Sequence, residues 1–136
     1  MQELYLPPTA TSPEILFSPE EKVFSIRGIS SPEDVRGIYY PVIEWLKNYV
    51  NSLLESKSTV YSSNVPLKLQ VDLEYFNSSS AKFLYDILLE LKRLIASGIH
   101  VAVEWIYDEE DTDLQETGSD IATLVEMDFT YVPKTR

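Results

Sequence analysis

Leu67-Lys68-Leu69-Gln70-Val71-Asp72-Leu73-Glu74-Tyr75-Phe76-Asn77-Ser78-Ser79-Ser80-Ala81-Lys82 is the stretch on which the fold turns. Leu67, Leu69, Val71, Leu73 and Tyr75 fall on one face of a strand, and Lys68, Gln70, Asp72 and Glu74 on the other. A parallel strand covered on both faces reads as continuously apolar, so this alternation predicts a sheet with helices mainly on one side. The strand runs out at Phe76, a run of hydroxyls follows, and helical spacing then takes over. Leu84, Ile87, Leu88, Leu91, Leu94 and Ile95 make one stripe, with Lys82, Asp86, Glu90 and Arg93 opposite. Gly98 is placed as the C-terminal stop of this helix.

Downstream, Ile99 to Tyr107 is a second strand, and its connection through a helix implies a parallel βαβ pair. An acidic loop, Asp108-Glu109-Glu110-Asp111, leads into a helical stretch over about 113–126 in which Gly118 is expected to mark a bend. Phe129 to Val132 is a final short strand. Upstream, Val35, Tyr39, Val42, Leu46, Tyr49 and Leu53 recur at helical spacing. Ser31-Pro32-Glu33-Asp34 is the expected start of that helix, with serine as cap and proline at the first position. Pro41 removes a backbone bond, which predicts a kink or break near Tyr40. Residues 15–17 and 22–27 form a hairpin around Ser18-Pro19, closed by Gly28. Residues 1–13 hold three of the eight prolines and are expected to be an extended lead-in. With no internal repeats, residues 1–136 are expected to form a single α/β domain with a small mixed sheet.

Composition narrows the function classes. Eleven basic against 22 acidic residues give a net charge of −11, which disfavours nucleic acid and anionic membranes as partners and favours a basic protein surface. There is no cysteine, consistent with a reducing cytoplasm. No apolar run approaches the ~20 residues of a membrane span, and the N-terminus lacks the pattern of a signal peptide. A cytoplasmic location is expected.

Catalytic patterns are sparse, and no enzyme activity or cofactor is expected. The single histidine, His100, opens a strand, where a structural role is expected. Four glycines, none between Gly37 and Gly98, make no phosphate loop, and there is no nucleophile elbow. Asp72 and Glu74 share a strand face, as solvated carboxylates commonly do. The acidic loop 108–113 supplies oxygen ligands but does not follow EF-hand spacing. It supports an alternative reading as a small-molecule or divalent-metal-binding regulatory domain, while no metal ligand set is assigned. Tyr40 and Phe76 fall off the main stripes and are expected to form an exposed protein-binding patch. Ser78 has two readings. One of Asn77, Ser78 or Ser79 must cap the helix, and a hydroxyl at a helix N-terminus also suits phosphorylation, since free amides and the helix dipole stabilise an anion.

The order of motifs resembles a known family. Ser12-Pro13-Glu14-Ile15-Leu16-Phe17, Phe24 to Asp34, Tyr40-Pro41 with Trp45-Leu46, Leu73 to Ser80, Trp105 to Asp111 and Glu116 to Ala122 look like the SiaC family of bacterial regulatory phosphoproteins, over residues 9–132. That family is similar in fold to the STAS domains of anti-sigma-factor antagonists such as SpoIIAA, with helices largely on one face of a small mixed sheet. The resemblance implies partner switching in signal transduction, including cyclic di-GMP and biofilm control. It further implies that a serine/threonine kinase of the histidine-kinase-like ATPase type phosphorylates the protein, that a PP2C-like phosphatase restores it, and that the unmodified form binds a target such as a diguanylate cyclase. The resemblance places the phosphoacceptor at Ser78. Serine stands there where the family has threonine, which leaves Ser79 as the alternative acceptor. Tyr40, Phe76, Asn77, Ser79, Ser80 and Lys82 are the expected partner-contacting residues.

Overall fold

A computed structural model describes residues 2–135. The chain runs β1 (Leu4–Leu6), β2 (Glu14–Ser18), β3 (Val23–Ser30), α1 (Val35–Glu55), β4 (Leu67–Phe76), α2 (Ser78–Ala96), β5 (Val101–Asp108), α3 (Thr112–Val125) and β6 (Phe129–Lys134). The six strands form one mixed sheet in sequence order. β1, β2 and β3 pair antiparallel, and β3 through β6 pair parallel. Each parallel crossover carries one helix and advances one place in the sheet. Right-handed crossovers that all step in one direction lay their helices on one face. The expected one-sided cover is therefore a consequence of strand order.

Burial follows from this. Ile15, Phe17, Phe24, Ile26, Leu69, Val71, Leu73, Val103 and Trp105 are buried beneath Tyr39, Val42 and Leu46 of α1 and Ile87, Leu88 and Leu91 of α2. On the opposite face β4 carries polar side chains. Gln70 donates to Glu104 at 2.9 Å, Lys68 lies 3.6 Å from the same carboxylate, and Lys134 pairs with Asp72.

Several boundaries differ from the sequence expectation. The lead-in contains strand β1, which pairs with β2 and is pinned by Trp45 Nε1 donating to the Gln2 carbonyl at 2.9 Å. Gly28 does not end β3, which continues to Ser30; with φ of +104°, it sits where the β3–β4 register shifts. That bulge opposes Leu73 to Gly28 but Tyr75 to Ile29, which breaks the period-2 pattern. Tyr75 consequently leaves the core face and is 55% exposed, while Phe76 turns inward.

Helix α1 is capped by Asp34, not Ser31. The Asp34 carboxylate accepts from Gly37 N at 3.0 Å, whereas Ser31 N is tied to the Thr11 carbonyl at 2.8 Å. A charged acceptor at the N-terminus also interacts favourably with the helix dipole. Pro41 does not break α1, which continues through it to Glu55. Pro41 and Gly37 both lie on the exposed side, where solvent can take the carbonyl that the missing amide leaves unpaired. Gly98, at φ +84°, does terminate α2: its amide donates to Ile95 and that of Ile99 to Leu94, the paired bonds of a Schellman stop. Gly118 marks no bend; it is buried within α3 against Trp105.

Candidate functional site

The carboxyl ends of β3, β4 and β5 lie along one edge of the sheet, and the start of α2 sits there. Asn77 is in extended conformation and caps α2, its side-chain oxygen accepting from Ser80 N at 2.9 Å. Its own amide donates to the Ser30 carbonyl at 3.0 Å, fastening the loop to the end of β3. With Asn77 serving as cap, neither Ser78 nor Ser79 is needed for that role. Both are exposed on the first helical turn, where backbone amides have no partner within the helix. A phosphate on either hydroxyl would meet those donors and the positive end of the dipole.

Ser80 is different. It is completely buried, and a chain of hydroxyls runs beneath the helix start. Tyr39 Oη lies 2.7 Å from Ser30 Oγ, Ser30 Oγ donates to Ser80 Oγ at 2.8 Å, and Ser80 Oγ donates to the Ser30 carbonyl at 2.9 Å. Burial raises the Tyr39 phenol above its ordinary value, and the hydrogen bonds to Ser30 and Ser80 partly offset this. The chain ties α1, β3 and α2 together at the first turn of α2. Of the expected contact residues, Ser80 thus offers no accessible side chain and supports the site from inside.

The other expected residues divide into two groups. Tyr40 is 56% exposed, with its ring edge-on to Phe83 at 5.8 Å, and Phe83 stacks on Tyr39 at 5.3 Å. Lys82 reaches over the Phe83 ring at 4.8 Å and pairs with Asp86 at 3.0 Å. Tyr40, Ile43, Lys82, Phe83 and Asp86 line a groove of about 410 Å³ between α1 and α2. Phe76 is not an exposed patch residue: half-buried, it sets its ring edge-on to Trp105 at 5.9 Å. Its place on the surface is taken by Tyr75, which alternation in the sequence points toward the core.

The acidic loop closes the other side. Glu74, Asp108, Glu110 and Asp111 line a cleft of about 400 Å³. Two of those carboxylates already hold backbone: Asp108 accepts from Glu110 N at 2.9 Å, and Asp111 caps α3 by accepting from Leu114 N at 2.9 Å. Among the described residues, no group of three or more His, Asp or Glu side chains is arranged to hold a metal ion. His100 is exposed beside β5, and its carbonyl accepts from Leu67 N at 2.9 Å. No helix among the described residues is long and apolar enough to cross a membrane. Ser30 and Tyr39 are the site residues that sequence reasoning missed. Tyr39 reads as one more member of an apolar stripe, and only the pairing of β3 with β4 brings Ser30 to the helix start.

Comparison with known proteins places this geometry. The chain is similar over 116 residues, at 28% identity, to an uncharacterized protein of Pseudomonas aeruginosa strain UCBPP-PA14, covering 85% of this chain and 84% of the other. The crystal structure of apo-SiaC from Pseudomonas aeruginosa superposes with a TM-score of 0.75 at 26% identity, over 99% of this chain and 100% of that one. The structure of the diguanylate cyclase SiaD in complex with its activator SiaC, also from Pseudomonas aeruginosa, matches with a TM-score of 0.78 at 25% identity, over 98% of this chain and 99% of the other. The family model of SiaC regulatory phosphoproteins matches residues 6–134. The chain belongs to the SiaC family of regulatory phosphoproteins.

Proposed function

We propose that this protein is a non-catalytic partner switch, phosphorylated at Ser78 by a serine/threonine kinase of the histidine-kinase-like ATPase type and restored by a PP2C-like phosphatase. Its unphosphorylated form binds and regulates a diguanylate cyclase in the cytoplasm. The observation that carries the reading is the division of labour at the α2 start. Asn77 caps and Ser80 is buried, which leaves Ser78, with Ser79 as the alternative acceptor, exposed on the first turn. Family membership and the activator role of SiaC in the solved complex supply the partner class.

The switch is electrostatic. Phosphate brings about −1.5 to −2 charges and three acceptor oxygens to a position where the free protein presents a neutral hydroxyl. A target surface shaped for that hydroxyl would have to bury a dianion, at a cost of several kcal/mol unless a cation meets it. Each 1.4 kcal/mol is tenfold in affinity, so a single phosphate suffices. The test is calorimetric titration of a SiaD-type cyclase with Ser78→Ala and Ser78→Asp proteins. Ser78→Ala should bind as the unmodified protein does, and Ser78→Asp at least about tenfold more weakly. Equal affinity of the two would refute the reading.

A further inference from the structure

Lys82 follows Ser78 by four residues on α2, which places the two on one helix face about one turn apart. Its ammonium is now engaged the other way, with Asp86 four residues further on, at 3.0 Å. That pair is exposed, with side-chain accessibilities of 68% and 33%, and so is readily exchanged. Its polarity is also the weaker one. A base followed by an acid at i,i+4 opposes the dipole, whereas an acid followed by a base is the favoured order. Helical side chains commonly lean toward the N-terminus, so a turn of the Lys82 side chain from Asp86 toward Ser78 follows a favoured direction.

We propose that Lys82 is an internal phosphate sensor: when Ser78 is phosphorylated, the Lys82 ammonium leaves Asp86 for the phosphate and uncovers a carboxylate in the Tyr40–Phe83 groove. The proposal rests on Ser78 being the phosphoacceptor. The phosphate prevails because it carries more charge than Asp86, precedes Lys82 in the favoured order and sits at the positive end of the helix. The groove is lined by two ammonium groups, Lys47 and Lys82, and two carboxylates, Glu44 and Asp86. Drawing Lys82 toward the helix start leaves one ammonium, Lys47, against two carboxylates in the groove. Lys82 also leaves the face of the Phe83 ring, which carries Tyr40 on its edge. One modification thereby alters a second surface of the same helix.

The test uses the full chain with phosphoserine installed at position 78 during synthesis, so no kinase is required. ³¹P NMR follows the second ionisation of the phosphate in the parent, Lys82→Met and Lys82→Met/Asp86→Asn proteins, and in Asp86→Asn alone. A neighbouring ammonium stabilises the dianion, so the parent should ionise about 0.3 pH unit or more below Lys82→Met. Asp86→Asn should lower the ionisation further when Lys82 is present, because the competitor is gone, and have less effect when it is absent. Coincident titrations of the parent and Lys82→Met proteins would overturn the proposal. So would an Asp86→Asn effect of the same size in both backgrounds. Protein from its native host carrying no phosphate at Ser78 would instead refute the phosphoacceptor assignment, a separate outcome.

Discussion

A Cβ at Gly118 would lie 2.5 Å from Nε1 of Trp105, so α3 approaches the sheet at a distance that only glycine permits. The indole is buried, donates to the Leu114 carbonyl at 3.0 Å and stacks near Phe129. It has no open space to retreat into. Gly118→Ala gains up to about 1 kcal/mol of helix propensity but must displace a packed ring, which typically costs about 1–3 kcal/mol or more. The variant should be destabilised by about 1–2 kcal/mol, read as a lower urea midpoint at unchanged slope. A midpoint at or above the parent's would contradict this contact.

The hydroxyl chain beneath the site makes a graded prediction. Ser80→Ala removes the acceptor for Ser30 Oγ and a donor to the Ser30 carbonyl, leaving buried polar atoms short of partners. It should cost about 1–3 kcal/mol. Tyr39→Phe removes one hydroxyl at the end of the chain and should cost less, about 0.5–1.5 kcal/mol. The double variant should be less destabilised than the sum of the two by at least about 0.5 kcal/mol, since the groups form one network. Strict additivity in chemical denaturation would show that the hydroxyls act independently.

Capping is separable from phosphoacceptance. Asn77→Ala deletes the acceptor for Ser80 N and should destabilise the protein by about 1 kcal/mol. Ser78→Ala, at an exposed position that does not cap, should stay within about 0.5 kcal/mol of the parent. If Ser78→Ala proved the more destabilising of the two, the assignment of Asn77 as cap would fail.

Alkaline pH should unfold the protein in a sign-definite way. Burial raises the phenols of Tyr39, Tyr49 and Tyr61 above the ordinary value near 10, and the Tyr49 and Tyr61 hydroxyls lie 2.7 Å apart. The folded state therefore holds phenolic protons that the unfolded chain releases. This contribution is fully present below about pH 10 and is lost as pH rises through the folded values. Each tyrosine adds at most about 1.4 kcal/mol per pH unit to the decline. Urea midpoints measured from pH 8 to 11 should be flat and then fall above about pH 10. A midpoint that rose across that interval would contradict the burial of these phenols.

Local signals carried much of the architecture. Every regular element after residue 14 lies close to its place in the sequence reading, because strand alternation, helical spacing and the Gly98 stop are properties of neighbouring residues. One-sided cover was equally legible, since the polar positions of β4 had to face somewhere other than a core. The misreadings share a cause. Alternation points Tyr75 inward because a period-2 pattern cannot register a bulge set by a partner strand, here opposite Gly28 and Ile29. Strand β1 leaves no signal of its own, because three residues say little until Phe17, Leu16 and Ile15 stand beside them. Gly118 reads as a bend in sequence because its reason, the ring of Trp105, lies on another element.

The same boundary runs through the site. By itself, the stretch from Leu73 to Lys82 determined that a strand would hand over to a helix with hydroxyls at its start, since propensity and capping act within a few residues. It left Asn77, Ser78 and Ser79 as equal candidates for the cap, and Ser80 as one more serine in the run. Tertiary structure set Asn77 and Ser80 apart from Ser78 and Ser79. The end of β3 carries Ser30 to the helix start, Tyr39 descends from α1 onto it, and Ser80 is drawn inward to complete the chain. Asn77 is thereby held as the cap and Ser78 left on the surface, because burial depends on which strands become neighbours, and no local pattern encodes that.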